Sequence, residues 1–216
     1  MVPRNDTKDT TLKSFSEEYK IDYLTNVHVN SDEFYELVQK YSCDMLVSMS
    51  YNQIFRKRII NSTPMGIINC HAGKLPFYRG RNILNWALIN DEKEYGITVH
   101  FVDEGIDTGD IILQRGYAIS DLDTYATLLE RAHDDCAEIL SDALKEICSG
   151  KFQRINQKEI HPVGFYCGMR GEGDEVIDWS TSSREIFNFI RAICSPGPQA
   201  RTYLNGKMVK INASRL

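Results

Sequence analysis

The chain has 216 residues, of which 42% are hydrophobic and 10% aromatic, and 25 Lys+Arg stand against 30 Asp+Glu for a formal net charge of −5. That composition belongs to one folded domain with an appendage; it excludes general disorder and a dedicated duplex-DNA binder, which needs a concentrated basic face. The polar opening MVPRNDTKDTTLKSFSEEYK has no apolar stretch of a secretory leader, no apolar run reaches the roughly 20 residues of a membrane span, and the six cysteines fit no zinc spacing. A cytoplasmic, metal-free protein with reduced thiols is expected.

Residues 1–18 lack clear periodicity and are expected as a loose or extended arm. Ile21, Tyr23 and Val27 fit a short strand. Ser31 reads as an N-cap, followed by Phe34, Leu37, Val38 and Tyr41 at helical spacing. Asp44–Met49 and Gly66–Cys70 read as buried strands, with a basic helical turn over Ile54–Ile60 between them. Strand, helix and strand in alternation predict an α/β fold built on a doubly wound, mostly parallel sheet.

A loop rich in Gly, Pro and Arg follows over 71–80, then a helix over 82–90 and a two-faced strand over 96–102. Apolar segments at 110–114 and 117–119 precede the longest helix, which starts at Asp123 and ends at Gly150 as a C′ glycine. From 159 the style changes: Gly-rich turns, a short helix with a Ser182…Glu185 capping box, and a hairpin over 203–211 turning at Asn205-Gly206. The domain division expected is a core at 1–158 and a helix-plus-hairpin extension at 159–216.

Ligands of open α/β sheets bind beyond the carboxyl ends of the strands. Two predicted strand ends carry unusual polar residues: Asn69 and His71 on one, and the run Asp103-Glu104-Gly105-Ile106-Asp107 after the other. Converging, they would supply an amide donor for an oxyanion, a general base and a carboxylate to orient it. Attack by a substrate amine suits such a set, since it needs no serine or cysteine nucleophile. Taken singly, Asn-x-His is ordinary loop hydrogen bonding. The 103–109 run departs from a calcium loop at Gly105, Thr108 and Gln114. Lys74, Arg79 and Arg81 read equally as a solvated face or as phosphate contacts, and His100 as a packed, hydrogen-bonded strand residue.

In combination, Gly66-x-x-Asn69-x-His71-x-x-x-Leu75-Pro76-x-Tyr78-Arg79-Gly80, Trp86, Gly96-x-Thr98-x-His100 and Asp107-Thr108-Gly109-Asp110 resemble the formyltransferase family that uses 10-formyltetrahydrofolate. The match spans about 44–119, with Ile177-Asp178-Trp179 and Ile190-Arg191-Ala192 similar to the start of the family's C-terminal region. The resemblance implies a Rossmann-like core and a catalytic set of Asn69 on the oxyanion, His71 on the amine proton and Asp107 orienting His71. It implies formyl-folate binding between Gln53-Ile54-Phe55 and Asp103, Glu104, Gly105 and Ile106, with Arg81 nearby.

Two departures from the family pattern stand out. Gly73 replaces a common Ser, and Asn69 arrives about 30 residues early, so the family's first strand–helix unit is expected to be missing or replaced. Tyr78-Arg79-Gly80 resembles the enzymes acting on amino sugars and on initiator methionyl-tRNA more than those acting on glycinamide ribonucleotide, and Cys167-Gly168-Met169-Arg170 resembles the amino-sugar enzymes. The acidic balance and the short segment after Trp179 also favour a UDP- or dTDP-linked amino sugar of surface-polysaccharide synthesis over initiator methionyl-tRNA. Lys74, Tyr78, Arg79, Arg170 and Arg191 are the candidate substrate contacts, and a homodimer through the hairpin edge is expected. A tRNA-directed enzyme and a non-catalytic relic stay as alternative readings.

Overall fold

Caps and apolar spacing set where the helices begin, and the computed structural model, which describes residues 1–8 and 10–216, shows them at work. In chain order the elements are α1 (Thr11–Glu18), α2 (Asp32–Tyr41), β1 (Leu46–Met49), α3 (Lys57–Ile60) and β2 (Ile67–His71). Next come β3 (Arg79–Gly80), α4 (Ile83–Ile89), β4 (Glu94–Phe101), β5 (Ile111–Ala118) and α5 (Tyr125–Cys148). The last are α6 (Gln157–Ile160), β6 (Tyr166–Cys167), α7 (Ser183–Ala192), β7 (Ala200–Leu204) and β8 (Lys207–Ile211).

The main sheet has the order β1-β2-β4-β5. It is mixed. Hydrogen bonds from Met65 N to Asp44 O and from Leu46 N to Gly66 O advance in the same sense along both segments, as parallel neighbours require. β4 and β5 pair antiparallel, with Gly96 opposite Gly116, so the two expected segments at 110–119 form one strand. The α/β class read from the sequence holds. Among the described residues no helix is long and apolar enough to cross a membrane.

The chain divides into two compact units. The first comprises 1–69 and 101–106. Its core is Val29, Phe34, Val38, Ile59 and Ile67, with Leu37, Leu46, Phe55 and Val102 packed against them. Ser31 caps α2 as expected, its hydroxyl accepting from Phe34 N at 3.2 Å. The expected loose arm contains α1 instead. Phe15 and Tyr19, both exposed, stack one turn apart at 4.3 Å, and Ser16 is buried. Leu12, Phe15 and Tyr19 do carry helical spacing, hidden by the polar residues between them. The expected strand at Ile21–Val27 is absent. Its main chain bonds elsewhere: Ile21 N to Ser16 O, Leu24 N to Met1 O, and Val27 O accepts from the Gln53 side chain.

The second unit comprises 70–100 and 107–216. Leu88, Ile97, Val99, Leu128, Ile139, Ala143 and Ile193 form its sealed core. Helix α5 buries Leu128, Ala132, Cys136, Ile139, Ala143 and Ile147, a single stripe at steps of three and four residues. Its cap is Thr124, one residue past the expected start, in a reciprocal pair with Thr127; Gly150 ends it at φ +67°. The Ser182–Glu185 capping box on α7 is present in both directions. Asn205 and Gly206 turn the β7–β8 hairpin at φ +51° and +74°, as a type I′ turn demands. The sequence reading lacked the two-residue parallel pair β3–β6, which sets Gly80 beside Cys167. All six cysteines are free thiols, and Cys70, Cys136, Cys167 and Cys194 are buried packing.

Candidate active site

β2 delivers His71 and β4 delivers His100 into the second unit, where their side chains are 9% and 2% exposed. The rings meet edge to face, centroids 6.4 Å apart. Asp107 lies between them: His71 Nδ1 is 3.7 Å from Oδ2, and His100 Nε2 is 3.6 Å from Oδ1. Gly80 N–H donates to Oδ2 at 2.9 Å. Gly80 can do so because β3 pairs with β6 at φ +97°, where a Cβ would lie 2.4 Å from the Cys167 carbonyl. Asp107 itself sits at φ +53°, in the left-handed region that Asp tolerates better than most side chains.

The tautomer of His71 follows from its neighbours. Nε2 lies 2.7 Å from the Tyr78 carbonyl, which can only accept, so Nε2 carries the hydrogen. Nδ1 then holds the lone pair and faces the Asp107 carboxylate beyond hydrogen-bond length. Burial lowers the His71 pKa below its ordinary 6.5, and the Asp107 charge opposes that fall. Burial works to raise Asp107, but the His100 ring, the His71 charge and the Gly80 N–H outweigh it and hold the carboxyl down at about 2. The arrangement is therefore a neutral base beside a fixed anion. It can accept one proton at Nδ1 and stabilise the imidazolium that results.

Gly73, which departs from the family pattern, is matched to this geometry. A Cβ there would lie 2.4 Å from the Tyr78 carbonyl oxygen and 2.5 Å from His71 Nε2, on top of the bond that fixes the ring.

The other sequence candidates divide between the units. In the first, Asn69 is half-buried on β2, two residues before His71. Gln53 spends its amide on Val27 O and Val29 N, while Ile54 and Ile106 are exposed, at 63% and 49%. Phe55 stacks on Tyr51, Asp103 accepts from Gly105 N, and Glu104 pairs with Lys57 at 3.8 Å, which draws the 103–106 turn to the segment after Phe55.

In the second unit, Lys74 is exposed and pairs with Glu94, and Arg81 reaches Met169. Tyr78 donates its hydroxyl to Glu92 at 2.6 Å. Arg170 is half-buried over the rings of Trp86 and Phe189. Arg79 and Arg191 are buried, at 6% and 4% exposure. Arg79 bonds Gln157 and the Val163 carbonyl, and Arg191 bonds Asn188, Ser120 O and Asp123 O.

Sequence reasoning missed three groups that hold the pair: the Gly80 N–H and the Gln157 amide at Asp107, and the Tyr78 carbonyl at His71. It placed His100 as a packed strand residue without joining it to Asp107. Among the described residues no group of three or more His, Cys, Asp or Glu could hold a metal ion.

Residues 3–144 match the formyl transferase family, and residues 171–216 match the formyl transferase C-terminal domain. A methionyl-tRNA formyltransferase from Pelotomaculum thermopropionicum is 36% identical over 200 residues, covering 93% of this chain. The chain spans only 63% of that relative's length. Among solved structures, a 4-N formyltransferase from Francisella tularensis superposes with a TM-score of 0.76 at 24% identity, covering 96% of this chain and 85% of the other. A sugar N-formyltransferase from Shewanella sp FDAARGOS_354 gives 0.74 at 22% identity, covering 100% and 98%. At such identities the structural likeness speaks for the fold.

Proposed function

Because the chain belongs to the formyl transferase family, we propose that it moves a formyl group from 10-formyltetrahydrofolate to the primary amine of a nucleotide-linked amino sugar. The observation that carries the reading is His71, with Nε2 tied to the Tyr78 carbonyl and Nδ1 left facing Asp107 at 3.7 Å. The amine nitrogen attacks the formyl carbon, forming a new C–N bond and a tetrahedral oxyanion. Asn69, two residues before His71 on β2, donates to that oxyanion. The attacking amine loses one proton to His71 Nδ1, the bond from the formyl carbon to the folate nitrogen breaks, and that nitrogen takes up one proton. Charge and protons balance, with formamide and tetrahydrofolate as products.

Asp107 and His100 hold the imidazole and the charge it acquires. The folate lies along Gln53, Ile54, Phe55 and the 103–106 turn; the exposed Ile54 and Ile106 suit a flat heteroaromatic ring. Lys74 and Arg170, which keep contact with solvent, are the cations for the sugar nucleotide's diphosphate, beside Tyr78. Residues 1–158 carry the chemistry and 159–216 brace it.

A second acceptor, initiator methionyl-tRNA, is favoured by the names of the sequence relatives. The net charge of −5 favours the sugar, since a polyanionic RNA asks for basic surface. The two are separated by incubating the protein and 10-formyltetrahydrofolate with UDP- and dTDP-linked amino sugars or charged initiator tRNA. Mass gain of one formyl group on a sugar nucleotide is expected; gain on the tRNA alone moves the acceptor to the second reading.

A further inference from the structure

We propose that Gln157 is the positioning residue that holds Asp107, its carboxamide clamping the main chain on both sides of the turn from which the aspartate projects. The inference rests on the formyl-transfer reading above for its kinetic consequence, and on geometry alone for the clamp.

Gln157 opens α6 and is 2% exposed. Its Nε2 donates to Asp107 O at 2.9 Å and to Gly109 O at 2.7 Å. Its Oε1 accepts from Arg79 Nε at 3.1 Å and Nη2 at 2.7 Å. Arg79 in turn donates Nη1 to Val163 O at 3.1 Å. Both donors and both acceptor sites of the amide are thus used, and the orientation is unambiguous, because guanidinium only donates and carbonyls only accept.

A buried amide with every bond satisfied is a rigid element. What it fixes is a turn residue at φ +53°, in the left-handed region, whose main-chain carbonyl the Gln157 amide holds in place. Gly80 N–H holds the carboxylate from one side, and Gln157 holds the backbone from the other. Released from Gln157, the turn is free to relax, and the carboxylate leaves His71 and His100, the two titratable groups that share its pocket.

Two variants separate this role from simple packing. Gln157→Met keeps the volume and removes the amide. Gln157→Glu keeps an oxygen for Arg79 and turns both donations to the turn into repulsions. Expected for both is a kcat lowered by about 10- to 100-fold, with KM for folate and amine within about twofold. Expected for Gln157→Met is a His71 titration, followed by NMR of the labelled imidazole, shifted to lower pH, because Asp107 no longer supports the imidazolium.

Wild-type kcat in Gln157→Glu overturns the proposal, since Gln157 would then serve only Arg79. Folded Gln157→Met with unchanged kcat and unchanged His71 titration also overturns it. Absence of formyl transfer by the wild-type protein defeats the functional reading instead, and the His71 titration, which needs no turnover, still decides the clamp.

Discussion

Gly73 and Asp107 show how narrow the tolerances are at single residues. A methyl group on residue 73 meets both partners of the His71–Tyr78 bond at 2.4–2.5 Å, and one partner is backbone. Gly73→Ala is therefore expected to turn the imidazole and to lower kcat by about 10- to 100-fold in a protein that still folds; steady-state kinetics beside a thermal melt checks this. The pH profile follows from two groups. His71 has a folded pKa below 6.5, so its neutral, basic form predominates above 6.5 and is lost as pH falls through the lowered value. Asp107 stays ionised down to about 2, so the acid limb of kcat/KM belongs to His71 and lies below 6.5.

Asp107→Asn removes the charge that supports the imidazolium. The limb should move further down, with kcat reduced by about 100- to 10,000-fold. For stability the signs run with the carboxyl: the contribution from Asp107 is complete above its ordinary 3.8 and is lost between there and about 2. The sequence pointed to Asn69 and His71 through their spacing and to Asp107 through the family resemblance, and the structure brings His71 and Asp107 to 3.7 Å. The partners that place Asp107 were not legible there. Gly80 contributes a backbone N–H and Gln157 reaches back 50 residues, where no local pattern points; the Tyr78 carbonyl that fixes His71 is likewise a backbone group with no side-chain signal.

Caps and tight turns came through, while α1, whose spacing is hidden by polar residues, and the elements held by distant partners did not. Ser31, Ser182, Gly150 and Asn205-Gly206 each determine their own cap or turn through bonds to near neighbours, and the structure has all four where expected. β3 and β6 are two residues each and exist only through their pairing, so no periodicity announces them. The stretch at Ile21–Val27 has strand-forming residues but no neighbouring strand to complete a ladder. Removing one local signal should cost a local amount. Ser182→Ala deletes the hydroxyl that accepts from Glu185 N, and a loss of about 0.5–2 kcal/mol by denaturant titration is expected, with kcat unchanged.

On the scale of the whole molecule, length and charge bounded the function without naming it. The chain shares its fold with a sugar N-formyltransferase, a relative 36% identical in sequence is a methionyl-tRNA formyltransferase by name, and the choice of acceptor belongs to the proposal above. The His71–Asp107 pair is held by buried hydrogen bonds from the Tyr78 carbonyl and the Gly80 N–H. The central claim is thus the chemistry at His71, and single-turnover formyl transfer from 10-formyltetrahydrofolate tests it most directly. It is followed by mass on the acceptor panel for the wild-type protein and His71→Ala. The wild-type protein should add one formyl group to an amino-sugar nucleotide, and His71→Ala, with an unchanged melt, should do so slower by about 100-fold or more. Equal rates in the two proteins, or no formyl group on any acceptor, would contradict it.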